Sequence, residues 1–314
     1  MVTGGKHFKP AGGAPVQHPA PVSHARRMQA PASPTPAGRT PYVRALHAVP
    51  AHEPARPKRN VLSTVLIVIG VVLLLVAGGL FIKAQLGYKQ AAEFYDDLTS
   101  EVVQDSDSKI PVIDFAALQK TNPDVVGWIY VPGTNINYVV AQGKTNDTYL
   151  RTLITGEYNA NGTVFLDADQ VAPGMAEQQT TLYGHNMNDG SMFNVVNDTQ
   201  NQERFDDIDV VYYITPEKTY ELKPMFTMQV EDDYVDARVG TFESDTAFKQ
   251  YLKASLAHAK ASAKDATDEI DQTERVMALV TCEDTFLSQT KRVVLMCTLV
   301  SETDTMASGD ASGA

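Results

Sequence analysis

Cysteine is scarce in this sequence: 314 residues contain two, Cys282 and Cys297. Two cysteines cannot build a scaffold held by several disulfides, and they cannot supply a zinc site made of four thiolates. Histidine is also scarce beyond residue 83, where His185 and His258 alone occur. The five other histidines have no spacing typical of metal ligands, so we expect neither a metal nor a cofactor.

The main part of the chain has little positive charge. Residues 84–314 carry 16 basic and 37 acidic residues, whereas residues 1–60 carry nine basic residues and one acid. An acidic surface repels phosphate, so the composition argues against nucleic acid as a partner.

Charge is absent altogether from residues 61–82, which read VLSTVLIVIGVVLLLVAGGLFI. As a helix this run is about 33 Å long, enough to cross the hydrocarbon core of a bilayer. A buried core helix would show a polar stripe, and a cleaved signal peptide would have a shorter apolar region and basic start. Three basic residues precede the run and Lys83 alone follows it directly, which predicts a cytoplasmic N-terminus and an extracellular main domain.

Composition divides the chain into five segments. Residues 1–60 hold 11 of the 17 prolines, which is typical of a disordered tail, here cytoplasmic. We predict a transmembrane signal-anchor helix at 61–83, a helical stalk at 84–109, the catalytic or binding domain at 110–302, and a disordered C-terminus at 303–314.

The main domain reads mostly as strands. Apolar runs with strand character recur at irregular spacing, with helical patterns between some of them, and this favours a mostly antiparallel barrel with helical insertions. The runs lie at 125–140, 162–169, 180–186, 209–215, 219–230, 275–282 and 292–300, and the helices at 114–120, 191–197 and 244–264.

Three residues in this domain could carry chemistry together. His185 ends a strand before a sharp turn, Cys282 ends another strand, and Arg292 begins the next one. They offer a nucleophile, an acid–base group and a cation for an oxyanion. Arg292 could equally form a surface ion pair with an acid of the intervening loop.

The remaining cysteine and histidine have simpler interpretations. His258 is expected in the middle of a solvated helix, and Cys297 is expected to pack in the core on one face of its strand. A Cys282–Cys297 disulfide is an alternative, and it would remove the thiol from chemistry.

Three motifs in this order resemble class B sortases. NPDVVGWIYVPGTNINYVV resembles the first hairpin of that family, TLYGHNMNDGSMF its histidine motif, and VTCEDTF followed by KRVV its cysteine–arginine motif. The family often has serine two residues before the cysteine, where this chain has Val280. The resemblance covers about residues 122–300 and implies an eight-stranded sortase-type β-barrel.

The resemblance also implies an activity and site residues. It implies a membrane-anchored cysteine transpeptidase of Gram-positive bacteria, with Cys282 as nucleophile, His185 as general acid/base and Arg292 as the residue that orients the substrate or stabilises the oxyanion. Tyr183, Glu283 and Asn146 fall where the family lines its substrate groove.

The implied partners are secreted proteins with a C-terminal sorting signal, and a peptidoglycan precursor or another wall amine as acceptor. The alternatives are a cysteine hydrolase, a pilin-polymerising sortase that uses a lysine as acceptor, or a non-catalytic wall-binding membrane protein.

Overall fold

The computed structural model describes residues 61–104, 109–231, 233–282 and 291–305, and of Gln104 and Cys282 it gives the backbone alone. The predicted tail at 1–60, Glu283 and most of the predicted C-terminal segment lie outside these ranges. The helices are α1 Val61–Val102, α2 Phe115–Thr121, α3 Asn194–Asp198, α4 Gln202–Asp206, α5 Asp245–Leu256 and α6 Ala266–Gln272, with a 3₁₀ helix at Val235–Arg238. The strands are β1 Val103–Gln104, β2 Val112–Ile113, β3 Val125–Tyr130, β4 Asn137–Ala141, β5 Val164–Leu166, β6 Gln179–Gly184, β7 Val211–Ile214, β8 Lys218–Glu231, β9 Ala259–Ser262, β10 Val276–Cys282 and β11 Lys291–Asp304.

Eight of the strands close into a barrel. Their order around the ring is β11, β10, β6, β5, β4, β3, β7 and β8, and β8 pairs back with β11. Neighbours run antiparallel except for two parallel pairs, β10 with β6 and β4 with β5. β9 adds to β8 as a ninth strand. The predicted β-barrel with helical insertions is confirmed.

Alternate residues of β10 and β11 belong to two different apolar cores, as the two-residue period of a strand requires. Leu279 and Cys297 pack in the larger core with Trp128, and Cys297 is fully buried as predicted. Val280 and Met296 pack in the second core, which includes residues of α5 and α6. This double packing fixes the register of β10 and β11, because a slip by one residue would exchange the two faces.

The register also excludes the alternative disulfide. Cys297 pairs with Met277, five positions before Cys282 along β10. Five positions of a strand correspond to about 17 Å, far more than a disulfide can bridge.

Helix α1 continues without a break from the apolar run into the predicted stalk. Its first 22 residues are exposed, apart from the partly buried Gly70, and they make it a candidate membrane span. Farther along, Ala91, Tyr95 and Val102 are buried, and the hydroxyl of Tyr95 donates to the carbonyl oxygen of Gly162 at 2.5 Å. The helical part of the predicted stalk therefore ends at Val102 and packs on the barrel.

The predicted helix over 244–264 is too long. Helix α5 begins after Ser244, whose side chain caps it, and ends at Leu256. Residues 259–262 form strand β9, because they pair with β8 as an edge strand. His258 consequently lies in an exposed turn between the two elements and not in the middle of a helix.

Candidate active site

Three adjacent strands bring the predicted catalytic residues into one row. In the parallel pair β6–β10, Gly184 is in register with Thr281. The next residue along the chain is His185 after β6 and Cys282 in β10, so these two lie side by side. In the antiparallel pair β10–β11, Cys282 is in register with Arg292. Neighbouring strands lie about 4.8 Å apart, so the backbones of His185, Cys282 and Arg292 lie at one end of the barrel within about 10 Å.

A groove of about 220 Å³ opens at this end of the barrel. Four of the six predicted site residues line it: His185, Arg292, Tyr183 and Asn146. Cys282 directly follows Thr281, which also lines it, and Glu283 lies outside the described residues. The complete lining is Asn146, Asp147, Leu150, Phe165, Tyr183, Gly184, His185, Val280, Thr281 and Arg292.

The imidazole of His185 is held by a backbone carbonyl. Its Nε2 lies 2.6 Å from the oxygen of Leu150. Because a carbonyl oxygen can only accept, Nε2 is the protonated nitrogen of the neutral ring. Burial lowers the pKa of His185, and the positive charges of Arg151 and Arg292 lower it further. The neutral imidazole is therefore favoured in the free site, ready to accept a proton.

Arg292 supplies a permanent positive charge to the groove. Its Nη1 donates to the carbonyl oxygen of Lys291 at 3.1 Å. A guanidinium stays protonated throughout the physiological range and presents several donors in one plane. The intervening loop, whose acids Glu283 and Asp284 are the alternative ion-pair partners of Arg292, lies outside the described residues.

The loop after His185 is fixed by close packing. The N–H of Phe193 donates to the carbonyl oxygen of His185 at 2.8 Å, and Asn186 forms a β-bridge with Met192. A Cβ atom on Gly184 would lie 2.6 Å from the buried ring of Phe193. Glycine is therefore required at the strand end for the chain to pass this ring.

Tyr183 and Asn146 turn their polar ends towards a buried acid. The hydroxyl of Tyr183 donates to Oδ2 of Asp167 at 2.8 Å, and the amide of Asn146 donates to the same oxygen at 3.0 Å. Nε of Arg238 adds a third contact at 3.1 Å. Asp167 is fully buried, and the N–H of Asp169 donates to its other oxygen, Oδ1, at 3.0 Å. These four donors offset the cost of burying the charge.

The bond to the Asp167 carboxylate engages the hydroxyl of Tyr183 and leaves its ring to line the groove. Burial and the charge of Asp167 raise the pKa of the Tyr183 hydroxyl. The tyrosine ring stacks on Phe165, with ring centroids 5.2 Å apart. With Val280, which is also buried, these rings give the groove an apolar wall.

Sequence reasoning missed three of these features. Asp167 and Arg238 are far apart in the chain and belong to no motif, and the carbonyl of Leu150 has no residue-type signal. Asp167 at the end of the apolar run GTVFLD was the one visible sign, since a carboxylate directly after a buried strand must find partners.

Comparison with known protein families identifies the family to which this barrel belongs. A family model described as the sortase domain matches residues 129–300, more than half of the chain. The chain belongs to the sortase family. The matched residues include β6, β10, β11 as far as residue 300, and the whole lining of the groove.

Curated relatives place this sortase in class B. It is 27% identical over 241 residues to sortase B of Staphylococcus aureus (strain NCTC 8325 / PS 47), covering 76% of this chain and 96% of that protein. It is 26% identical over 249 residues to sortase B of Listeria monocytogenes serovar 1/2a (strain ATCC BAA-679 / EGD-e), covering 74% and 98% respectively.

A solved structure agrees with this placement. The Staphylococcus aureus sortase B–substrate complex superimposes with a TM-score of 0.56 and 27% identity, covering 69% of this chain and 99% of that one. The sortase described here is thus a sortase-type cysteine transpeptidase. The family acts on proteins that carry sorting signals and uses a wall amine as acceptor. Among residues 61–104, 109–231, 233–282 and 291–305, no group of three or more His, Cys, Asp or Glu side chains is arranged to hold a metal ion.

Proposed function

We propose that this sortase is anchored in the membrane and cleaves a C-terminal sorting motif through a thioester on Cys282. The row formed by His185, Cys282 and Arg292 at the mouth of one groove is the observation that carries the proposal. A nucleophile, a proton acceptor and a cation in one row suit attack on one peptide bond.

In the first step, the thiol of Cys282 gives its proton to the neutral imidazole of His185. The sulfur attacks the backbone carbonyl carbon of the motif, and the negative charge that develops on the oxygen is stabilised by the guanidinium of Arg292. The C–N bond then breaks. The leaving amine takes the proton from His185, and the acyl fragment remains on the sulfur as a thioester.

In the second step, an amine of the wall precursor attacks the thioester carbon. His185 accepts the proton that this amine loses, Arg292 again stabilises the oxygen, and the C–S bond breaks. The released thiolate takes the proton back from His185. A new amide bond has replaced the original one, so the cycle needs no metal, oxidant or external energy source.

Tyr183, Asn146 and Glu283 are proposed to border the substrate. Since the hydroxyl of Tyr183 and the amide of Asn146 are bound to Asp167, we assign the Tyr183 ring an apolar contact and both residues the task of shaping the groove. Val280, two residues before Cys282, has no hydroxyl. We therefore assign it an apolar contact with the substrate.

Membrane anchoring fits this chemistry. Helix α1 exposes its apolar residues 61–82, and the basic residues before them favour a cytoplasmic N-terminus, which leaves the catalytic domain outside the cell. A secreted substrate and a lipid-linked acceptor both reside at the outer leaflet. Tethering the enzyme there raises the effective concentration of all three components.

Product analysis of the full chain in phosphatidylcholine nanodiscs tests this proposal. Candidate sorting peptides are incubated with and without a short amine acceptor, and the products are identified by mass spectrometry. A product that carries the acceptor supports transfer, whereas a free acid in both cases indicates a cysteine hydrolase. Transfer to a lysine side chain in preference to a wall amine indicates a pilin-polymerising enzyme.

Two variants serve as controls for the same assay. Cys282→Ala is expected to give neither the transfer product nor the free acid. Cys297→Ala is expected to give the same products as the wild type, because Cys297 is buried in the core. No cleavage of any peptide by the wild-type chain would favour a non-catalytic wall-binding protein.

A further inference from the structure

A small hairpin follows the residue that holds His185. Thr152 and Tyr158 form a β-bridge, and the N–H of Leu153 donates to the carbonyl oxygen of Glu157 at 2.9 Å. Gly156 makes the turn with a φ of +87°, a conformation that favours glycine. Tyr158 projects from this hairpin with 74% of its surface exposed.

The hairpin lies beside α1, next to the end of its apolar run. Tyr158 and Leu80 line one cleft of about 490 Å³, together with Lys83 and Gly87. The side-chain amide of Asn159, the residue after the hairpin, donates to the carbonyl oxygen of Gly87 at 3.4 Å. The hairpin is thus joined to a defined level of the helix.

That level coincides with the headgroup layer of a bilayer spanned by residues 61–82. Gly87 lies five residues beyond Ile82, about 7.5 Å farther along the helix axis. Each headgroup layer of a bilayer is about 5–8 Å thick. Leu80 lies within the span and Gly87 at the outer edge of this layer, so a side chain that lines a cleft with both is at headgroup depth.

We propose that the hairpin 152–158 inserts into the outer headgroup layer of the membrane, with Tyr158 as its anchor. Tyrosine prefers this layer because its ring is apolar and its hydroxyl is polar. Leu86 is 55% exposed on the adjacent turn of α1 and extends the same apolar surface. This inference rests on the proposed membrane anchoring and adds a second contact between the barrel and the bilayer.

Charge can strengthen the contact but is not required for it. The exposed charges nearby are Lys83 and Lys89 on α1, Arg151 before the hairpin and Glu157 within it. The acid in the hairpin itself opposes attraction to anionic lipid. The three cations outnumber this acid, so anionic lipid should strengthen the contact, while the ring of Tyr158 should insert into uncharged phosphatidylcholine without it.

The contact has a consequence for the reaction. Leu150, whose carbonyl holds His185, precedes the hairpin by two residues and lines the groove. A hairpin held in the headgroup layer keeps this wall of the groove close to the membrane surface. The groove would then receive substrates that are themselves tethered to the outer leaflet.

Spin labels on the full chain in phosphatidylcholine vesicles test the inference. Single cysteines are introduced by Glu157→Cys, Gly70→Cys and Lys264→Cys in a Cys282→Ala background, where Cys297 is buried and unreactive. Each label is measured for collision with oxygen, which is enriched in lipid, and with a water-soluble nickel chelate. Gly70 lies within the apolar run, and Lys264 is exposed between β9 and α6.

The inference predicts a deep label at residue 70, a label at residue 157 with headgroup-level oxygen accessibility, and a fully aqueous label at residue 264. Adding Tyr158→Ser should shift the label at residue 157 towards the value at residue 264. A deep label at residue 70 with an aqueous label at residue 157 would overturn the hairpin contact and leave the membrane anchor intact. An aqueous label at residue 70 would overturn the anchor and the hairpin contact together, without bearing on the thioester chemistry.

A kinetic comparison provides a second readout. Tyr158→Ser should slow cleavage of a sorting peptide anchored on the same vesicles and leave cleavage of the soluble peptide unchanged, because Tyr158 does not line the groove. Equal rates for both substrates in both proteins would contradict a positioning role for the hairpin.

Discussion

Nε2 of His185 donates to the carbonyl oxygen of Leu150 across 2.6 Å, at the edge of the groove that Arg292 also lines. This contact fixes the tautomer of the ring. The two neighbouring arginines favour the neutral form of the ring. That form accepts the proton of Cys282 in the first step of the proposed reaction.

The first prediction concerns the pKa of His185. Arg151 is exposed, and its positive charge lowers this pKa. Arg151→Gln removes a cation that disfavours the imidazolium, so the pKa should rise, and the rise should shrink at high salt. The imidazole signal in a pH titration by nuclear magnetic resonance measures it, with His185→Gln to assign the signal. Lys260→Gln is a remote control, and an unchanged or lower pKa in Arg151→Gln would contradict the account.

A second prediction concerns the strand end before His185. In Gly184→Ala, the new methyl group meets the ring of Phe193, so we expect a loss of about 1–3 kcal/mol in stability and slower peptide cleavage. Thermal unfolding and initial rates measure the two effects. The double variant Gly184→Ala with Phe193→Leu should regain part of both, because the ring is what the methyl group strikes. A double variant worse than the sum of its single changes would reject this explanation.

The third prediction concerns the bond between Tyr183 and Asp167. Tyr183→Phe removes one of four donors from the fully buried carboxylate of Asp167, which should lower the free energy of unfolding by about 1.5–3 kcal/mol. Chemical denaturation measures this loss, and Tyr158→Phe at an exposed position should show none. If Tyr183→Phe kept full stability and raised KM alone, its hydroxyl would serve the substrate and not Asp167.

The fourth prediction separates the two cysteines. Burial raises the pKa of the Cys297 thiol, which should leave it unreactive in the folded chain. Iodoacetamide should therefore modify one cysteine in the folded protein and two after denaturation, with peptide mapping to locate the first at Cys282. A folded chain that resists the reagent would support the non-catalytic alternative.

The strands near the site could be predicted from the sequence because they are short and strongly apolar. The apolar runs that contain Val280 and Cys297 are visible in the letters, and the two-residue period assigns their residues to two faces. That both faces are buried, each in its own core, is seen only in the structure. The spacing between Cys282 and Arg292 similarly predicts two paired strand ends. The parallel pairing of β6 with β10 was not visible, because it joins segments about 100 residues apart and depends on the closure of the whole barrel.

Other features depend on tertiary packing that no local pattern records. The segment 257–264 has helical composition, yet part of it becomes strand β9 because β8 offers it an edge to pair with. The predicted stalk and the candidate membrane span appear as two segments by hydropathy but form one helix, since nothing between Ile82 and Ala91 breaks it. Asp167 collects its partners from three separate parts of the chain.

Intact-mass spectrometry of the full chain with a panel of sorting peptides tests the central claim most directly. The account predicts a mass increase equal to one acyl fragment, removed by hydroxylamine, retained in Cys297→Ala and absent in Cys282→Ala. An adduct of the same mass on Cys282→Ala would contradict it, because the acyl group would then be carried by a residue outside the row of His185, Cys282 and Arg292.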